Sequence, residues 1–365
     1  MNKFIAFLIL FSTLYGQNAD GEFSLGEISF LIKNIHFEGD FKDRDRNTEF
    51  NNGIGSLDIG LIKYGFSDIK LSGDLNAYNK RAQVKYKFTG PEFEMSNFKI
   101  ELSFDAPNVW EILKEELARE RAGYDQYDDY REPQPVNNNV KFSIGKINQY
   151  FGASGSVDLN ERNQIVDFQL QKAGFSVSKV NANFTVDRSS KTTFSIANFK
   201  TEAKNIAFEF DIYDEIPTVE KATFEISLKN LEINVPREVH QEPQFKEIAD
   251  YLNINNGKFR IRQIDLDLTF NRGKDLKLKG TVDTQFGKAV INGEFSIRQP
   301  VRYDSDLTID KFTVEISNLS KPINNFIEVW EEGTGNTLPR KGKAIYLEIS
   351  GDLNQPQIKG LDIKF

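Results

Sequence analysis

Histidine is scarce in this chain: His36 and His240 are the only two imidazoles, and they stand far apart in sequence. Neither belongs to an H-E-x-x-H zinc pattern, and the chain contains no G-x-S-x-G elbow, P-loop or dinucleotide-binding fingerprint. A histidine-based nucleophilic triad therefore has no visible members. Cysteine is absent, which removes disulfides, thiolate metal sites, a cysteine nucleophile and a lipidated N-terminal cysteine. A carboxylate pair can act as acid and base, but none stands out among the 54 Asp and Glu. The expectation is a chain that is not an enzyme and holds no cofactor.

One acidic cluster has metal-like spacing. Asp43, Asp45, Asn47 and Glu49 alternate as the first oxygens of a calcium loop do. The pattern then fails, because Thr48 stands where the turn glycine is needed and Ile54 where the bidentate Glu is needed. Arg44 and Arg46 interleave with the acids and oppose a cation. A solvated hairpin tip accounts for the segment, and no metal is assigned.

The formal net charge is −8, and the Lys and Arg residues are scattered among acids. That excludes a general nucleic-acid binder, which needs clustered positive charge to meet phosphates. At the N-terminus Lys3 precedes an apolar run from Phe4 to Tyr15, broken only by Ser12 and Thr13. A charged start and a short apolar core have the form of a secretory signal peptide. The run falls short of the ~20 residues that a spanning helix needs. Residues 1–19 are read as a signal peptide or N-terminal anchor. Export without disulfides points to a bacterial envelope, with the protein periplasmic or envelope-associated in a Gram-negative-type cell.

If chemistry is not legible, the scaffold is. Phenylalanine is abundant, 31 against 12 Tyr and 2 Trp, and it suits pleated half-buried surfaces. Strict apolar–polar alternation marks a strand with one dry and one wet face. Phe208, Phe210 and Ile212 alternate with Glu209 and Asp211, and Phe224, Ile226 and Leu228 with Glu225 and Ser227. Ile264, Leu266, Leu268 and Phe270 flank Asp265, Asp267 and Thr269. Phe312, Val314 and Ile316 repeat the pattern, as do Ile345, Leu347 and Ile349. Similar runs occur over 71–75, 84–88, 98–104 and 177–186. Turn-forming residues at 76–80, 160–163, 188–191, 271–275 and 286–288 separate the runs, which reads as hairpins and meanders and not βαβ units. The fold class is mainly β: a long curved antiparallel sheet, open as a groove or rolled toward a barrel, with a few short helices.

Three helices are expected: one beginning at Pro107 with Val109, Trp110, Leu113 and Leu117 at helical spacing, one over Pro243–Leu252, and one over Pro322–Trp330. The stretch 123–138, rich in Asp, Tyr and Pro, reads as a linker or loop. It separates an N-terminal β region (20–122) from a C-terminal β-meander region (139–365). Ser72-Gly73-Asp74-Leu75-Asn76 recurs as Ser350-Gly351-Asp352-Leu353-Asn354, a loose internal echo at strand ends.

The stretch from Leu338-Pro339-Arg340 through Ala344–Asn354 to Gln355-Pro356-Gln357-Ile358 resembles the C-terminal end of AsmA-like and TamB-like envelope proteins. In those proteins a final alternating strand enters a Ser-Gly-x-Leu turn, then a proline step and a last short strand. The resemblance covers the last third of the chain. It implies a long β-sheet with a hydrophobic groove for phospholipid acyl chains, acting in lipid transport or outer-membrane homeostasis. On that reading the lipid-binding positions are the alternating apolar sets just named, from Phe208 to Ile349. The N-terminal segment departs from the family's inner-membrane anchor.

Two other readings stand beside it. The chain ends in Phe365 with Ile363 and Gly360 placed as in the last strand of an outer-membrane β-barrel, although Ile358 stands where a polar residue is usual. A non-catalytic periplasmic or surface protein, its apolar face packed into a closed core, has the same strand periodicity.

Overall fold

The computed structural model describes residues 18–42, 52–76, 81–108, 112, 135–159, 164–186, 190–211, 218–236, 239, 243, 246, 249, 254, 257–272, 276–297, 307–352 and 355–360. The segment 43–49, His240, Ile212, the N-terminal apolar run and Phe365 lie outside them. Among the described residues the chain forms one antiparallel sheet of 17 strands.

The first strands come as long rods, each broken once. β1 (Asn18–Leu25) leads into β2 (Ile28–Lys42) across Gly26-Glu27. β3 (Asn52–Phe66) leads into β4 (Asp68–Asn76) across Ser67. β5 (Arg81–Thr89) leads into β6 (Glu92–Pro107) across Gly90-Pro91. β2 pairs with β3 and β3 with β6, while β1 pairs with β4 and β4 with β5. Both branches meet β7 (Pro135–Leu159), which pairs with β6 through its first part and with β5 through its last. The rods and β7 thus form one up-and-down meander.

The meander continues through β8 (Gln164–Val186), β9 (Ser190–Asp211), β10 (Thr218–Asn234), β11 (Lys258–Asn271), β12 (Leu276–Thr284), β13 (Lys288–Ile297) and β14 (Leu307–Ser317). Each of these pairs with its sequence neighbour. β14 pairs with β16 (Ala344–Asp352), whose far side holds the short β15 (Arg340–Lys341) and β17 (Gln355–Ile358). The sheet tapers: β7 has 25 residues, roughly 80 Å of extended chain, and β12 has 9, roughly 30 Å. It is a long curved sheet that does not close into a barrel. The sheet is thus open, as expected from the sequence: among the described residues β2 pairs with β3 alone, and β17 with β16 alone.

One continuous helix is described, α1 (Lys321–Thr334), spanning the expected Pro322–Trp330 segment. Pro322 suits the first turn, where its missing N–H is not needed. Gly335 closes the helix in the left-handed conformation, its N–H donating to the Glu331 carbonyl. Ile112, Pro243, Lys246 and Ala249, within the two other expected helices, are helical as well. Pro107 itself does not begin a helix. It ends β6, because Asp105, Ala106 and Pro107 continue the ladder against Asn137, Val136 and Pro135. That pairing also brings residues 135–138, read from sequence as part of a linker, into β7.

A crease crosses the sheet. Ile32 and Ile35 are three residues apart yet face the same side, because Asn34 between them is left-handed (φ 55°) and the ladder steps from Lys33–Leu61 to Ile35–Ile59. The skipped position recurs at Gly60 in β3, Asn97 (φ 53°) in β6, Gly145 in β7, Lys179 (φ 54°) in β8 and Asn230 (φ 48°) in β10. Asn tolerates left-handed backbone better than most residues. Gly145 leaves the room its neighbour takes, since a Cβ there would lie 2.8 Å from the Lys179 side chain. Each skip inserts one residue and so restores the same face beyond the crease.

Candidate functional site

Paired residues in an antiparallel ladder point to the same face, so the registers show where each candidate side chain stands. Phe224 faces Leu268, which faces Leu278, Gly293, Phe312, Ile349 and Ile358 in turn across seven strands. Ile226 heads the row through Leu266, Gly280, Ile291, Val314 and Leu347. Leu228 heads the row through Ile264, Val282, Ala289, Ile316 and Ile345. Phe270 sits opposite Ala222. Phe208 stacks on Phe168 with ring centroids 4.8 Å apart, and Phe210 lies beside it opposite Val166. The described candidates therefore share one face; Ile212 lies outside the described residues.

The same face runs on through the N-terminal half, which the sequence reading did not resolve into site residues. Leu228 faces Phe199, then Val177, Ile147, Met95, Ile62 and Ile32 on the edge strand β2. Beyond the crease, Leu231 leads through Ile196, Val180, Ile144, Phe98 and Ile59 to Ile35. Phe98 meets Phe142 edge to face at 6.1 Å. Among the described residues these rows hold no charged side chain. Their polar members, such as Asn138, Gln149, Thr192 and Thr201, are neutral. At about 4.8 Å per strand the face from β2 to β16 is on the order of 50–60 Å wide.

Most of this face is half-buried, not sealed. Phe270 (8% exposed) and Ile345 (3%) are buried, whereas Phe224 (42%) and Ile226 (43%) are open. Among the described elements every substantial strand contact joins hydrogen-bonded neighbours, so no second sheet layer covers the face. The chain exposes 24181 Å², against roughly 15,000 Å² for a compact monomer of its mass. Toward β2 a depression of about 430 Å³ is lined by Phe37, Leu57, Ile100 and Leu102, with Gly39 and Gly55 thinning its floor. Such a face favours apolar contact, and the charged residues beside the depression, Glu38 and Asp40, belong to its rim.

The opposite face is built from charge. His36 Nδ1 lies 2.6 Å from Asp58 Oδ1, and Lys141 bonds Glu101 at 2.9 Å. Lys146 bonds Glu94 at 3.0 Å, and Arg262 bonds Asp283 at 2.8 Å. Asp58 raises the His36 pKa by hydrogen bond and charge. The least exposed of these networks centres on Glu202, which accepts from Tyr150 and Lys200 while Lys204 links it to Glu225. Burial alone would raise the Glu202 pKa, but Lys200, Tyr150 and Lys204 outweigh it and hold the carboxylate at about 2. Among the described residues no group of three or more His, Asp or Glu is gathered to hold a metal.

What the sequence reading missed is the crease, and with it β2, β3 and β7, which it interrupts. The signal is an apolar pair spaced by three with Asn third, as in Ile32-Lys33-Asn34-Ile35, Met95-Ser96-Asn97-Phe98 and Leu228-Lys229-Asn230-Leu231. That spacing breaks the period of two, so a run that is regular on one side of the skip does not extend across it.

Comparison of the chain with family models, with curated proteins and with solved structures finds no match.

Proposed function

We propose that this chain binds lipid acyl chains on the apolar face of its sheet, as an exported protein of the cell envelope that shelters or moves lipid. The observation that carries the reading is the apolar face running from β2 to β17, which among the described residues holds no charged side chain and has no second sheet layer over it. Exposed apolar patches beyond a few hundred Å² mark interaction surfaces, and acyl chains need apolar contact without hydrogen-bond partners. The AsmA-like resemblance of the C-terminal third and the signal-like N-terminus support the envelope setting. Phospholipid is the partner, and the role is lipid transport or outer-membrane homeostasis.

The test is extraction and mass spectrometry of lipid from protein purified without detergent. Co-purifying phospholipid, lost on Ile226→Asp while the circular-dichroism spectrum is kept, supports the reading. Lipid-free protein that takes up no fluorescent phospholipid instead favours a structural envelope protein.

A further inference from the structure

We infer that the end of the sheet formed by α1 and the β15–β16 turn docks on the surface of an anionic lipid bilayer, where Phe326 and Val329 enter the headgroup boundary and Lys341 and Lys343 meet lipid phosphates. This surface is distinct from the apolar sheet face, and its role does not depend on what that face binds.

α1 turns its apolar side chains two ways. Ile323, Ile327 and Trp330 share one side at helical spacing and are half-buried. Phe326 and Val329 are 54% and 67% exposed. At about 100° per residue, Pro322, Phe326, Val329 and Gly333 fall within about 60° of one another and form a stripe without charge. Glu328 and Glu332, both exposed, lie about 90–130° from the centre of that stripe. No residue of the helix is fully buried. A helix that shows large apolar side chains on one flank and polar ones on another suits the boundary between headgroups and acyl chains.

Charge beside the stripe says which surface fits it. Glu331 ties α1 to the strand that follows: it accepts the Leu338 N–H at 2.8 Å and bonds Arg340 at 3.1 Å. That tie sets the β15–β16 turn beside the second half of the helix. The turn is Lys341-Gly342-Lys343, exposed throughout, with Gly342 in left-handed backbone at φ 64°. Glu331 neutralises Arg340, whereas among the described residues Lys341 and Lys343 form no ion pair. Lys341 instead lies over the Tyr346 ring, 5.5 Å from its centroid. Exposed cations flanking an apolar stripe complement the phosphates of an anionic bilayer. The net charge of −8 repels such a surface elsewhere on the chain, which confines the contact to this end.

The chain has no cysteine, so one introduced thiol can carry an environment-sensitive fluorophore. On the full chain with Val329→Cys labelled in this way, vesicles of phosphatidylcholine and phosphatidylglycerol should shift the emission to the blue, and vesicles of phosphatidylcholine alone should shift it far less. The same label on Glu328→Cys should keep its aqueous emission. In cosedimentation with the mixed vesicles, Lys341→Gln combined with Lys343→Gln should weaken binding on the order of tenfold and flatten its salt dependence. Phe326→Ser combined with Val329→Ser should remove most binding at any salt. All these positions are exposed, so the circular-dichroism spectrum should be unchanged. A Val329 label that stays in water on mixed vesicles overturns the inference, as does undiminished sedimentation of both double variants. Docking by a chain that takes up no fluorescent phospholipid would refute the proposed function and keep this inference; uptake by a chain whose α1 stays in water would do the reverse.

Discussion

Tyr150 reaches across Gly174 to donate its hydroxyl proton to Glu202 Oε1 at 2.5 Å, linking β7 to β9 over β8. Gly174 makes the crossing feasible, since a Cβ there would lie 2.5 Å from the Tyr150 ring. Burial, followed by the hydrogen bond to Glu202, raises the Tyr150 pKa and keeps it a donor. The wet face is thus stapled across strands, while the dry face holds no charged side chain among the described residues.

Glu202 should carry a pH signature. Its folded pKa is about 2, below the ordinary 4.5. Its stabilisation is therefore complete above about pH 4.5 and is lost as pH falls toward 2. Glu202→Gln should lower stability by about 1–3 kcal/mol at neutral pH. The difference from the parent should shrink between pH 4.5 and 2 in urea titrations. A difference that does not change with pH would refute the assignment.

Gly174→Ala should cost about 1–3 kcal/mol by forcing Tyr150 aside, seen as a lower urea midpoint. In Tyr150→Phe that penalty should largely disappear, because the ring is no longer tied to Glu202. Additive effects of the two substitutions would contradict the crossing.

The crease should respond to backbone preference rather than to side-chain size. Asn97→Gly should be nearly neutral, whereas Asn97→Val, a β-branched residue in left-handed backbone, should cost about 1–3 kcal/mol. Thermal melts of the two variants compare them directly, and equal loss in both would mean that the Asn side chain, not its φ of 53°, is what matters.

The strands of the C-terminal half were legible in the sequence because their alternation is regular: Ile264 to Phe270 reads as a strand and is one. The N-terminal half was harder, because the skips at Asn34, Asn97 and Lys179 reset the alternation within single strands. Pro107 looked like a helix start because proline suits a first helical turn, but it ends β6, where the ladder with β7 claims it. That Phe224 and Leu347 share a face, five strands apart in the sheet, follows from the registers, which no local period encodes. Whether the apolar side is sealed or open was not legible at all, since alternation is the same for a closed core and a groove.

Burial separates two kinds of apolar-face residue. Ile226→Asp, at a position 43% exposed, should keep the fold and remove lipid uptake. Phe270→Asp, at a position 8% exposed, should unfold the protein, because a buried unpaired carboxylate is too costly. Far-ultraviolet circular dichroism and fluorescent-lipid uptake on both variants check the contrast. Unfolding of the Ile226 variant would place that residue in a closed core.

The most direct measurement is photo-crosslinking with a phospholipid that carries a diazirine on its acyl chain, followed by peptide mapping. Labels are expected on apolar-face residues such as Phe224, Ile226 and Phe175, and not on wet-face residues such as Lys141 or Glu225. Labelling spread over both faces, or none on the apolar one, would contradict the account.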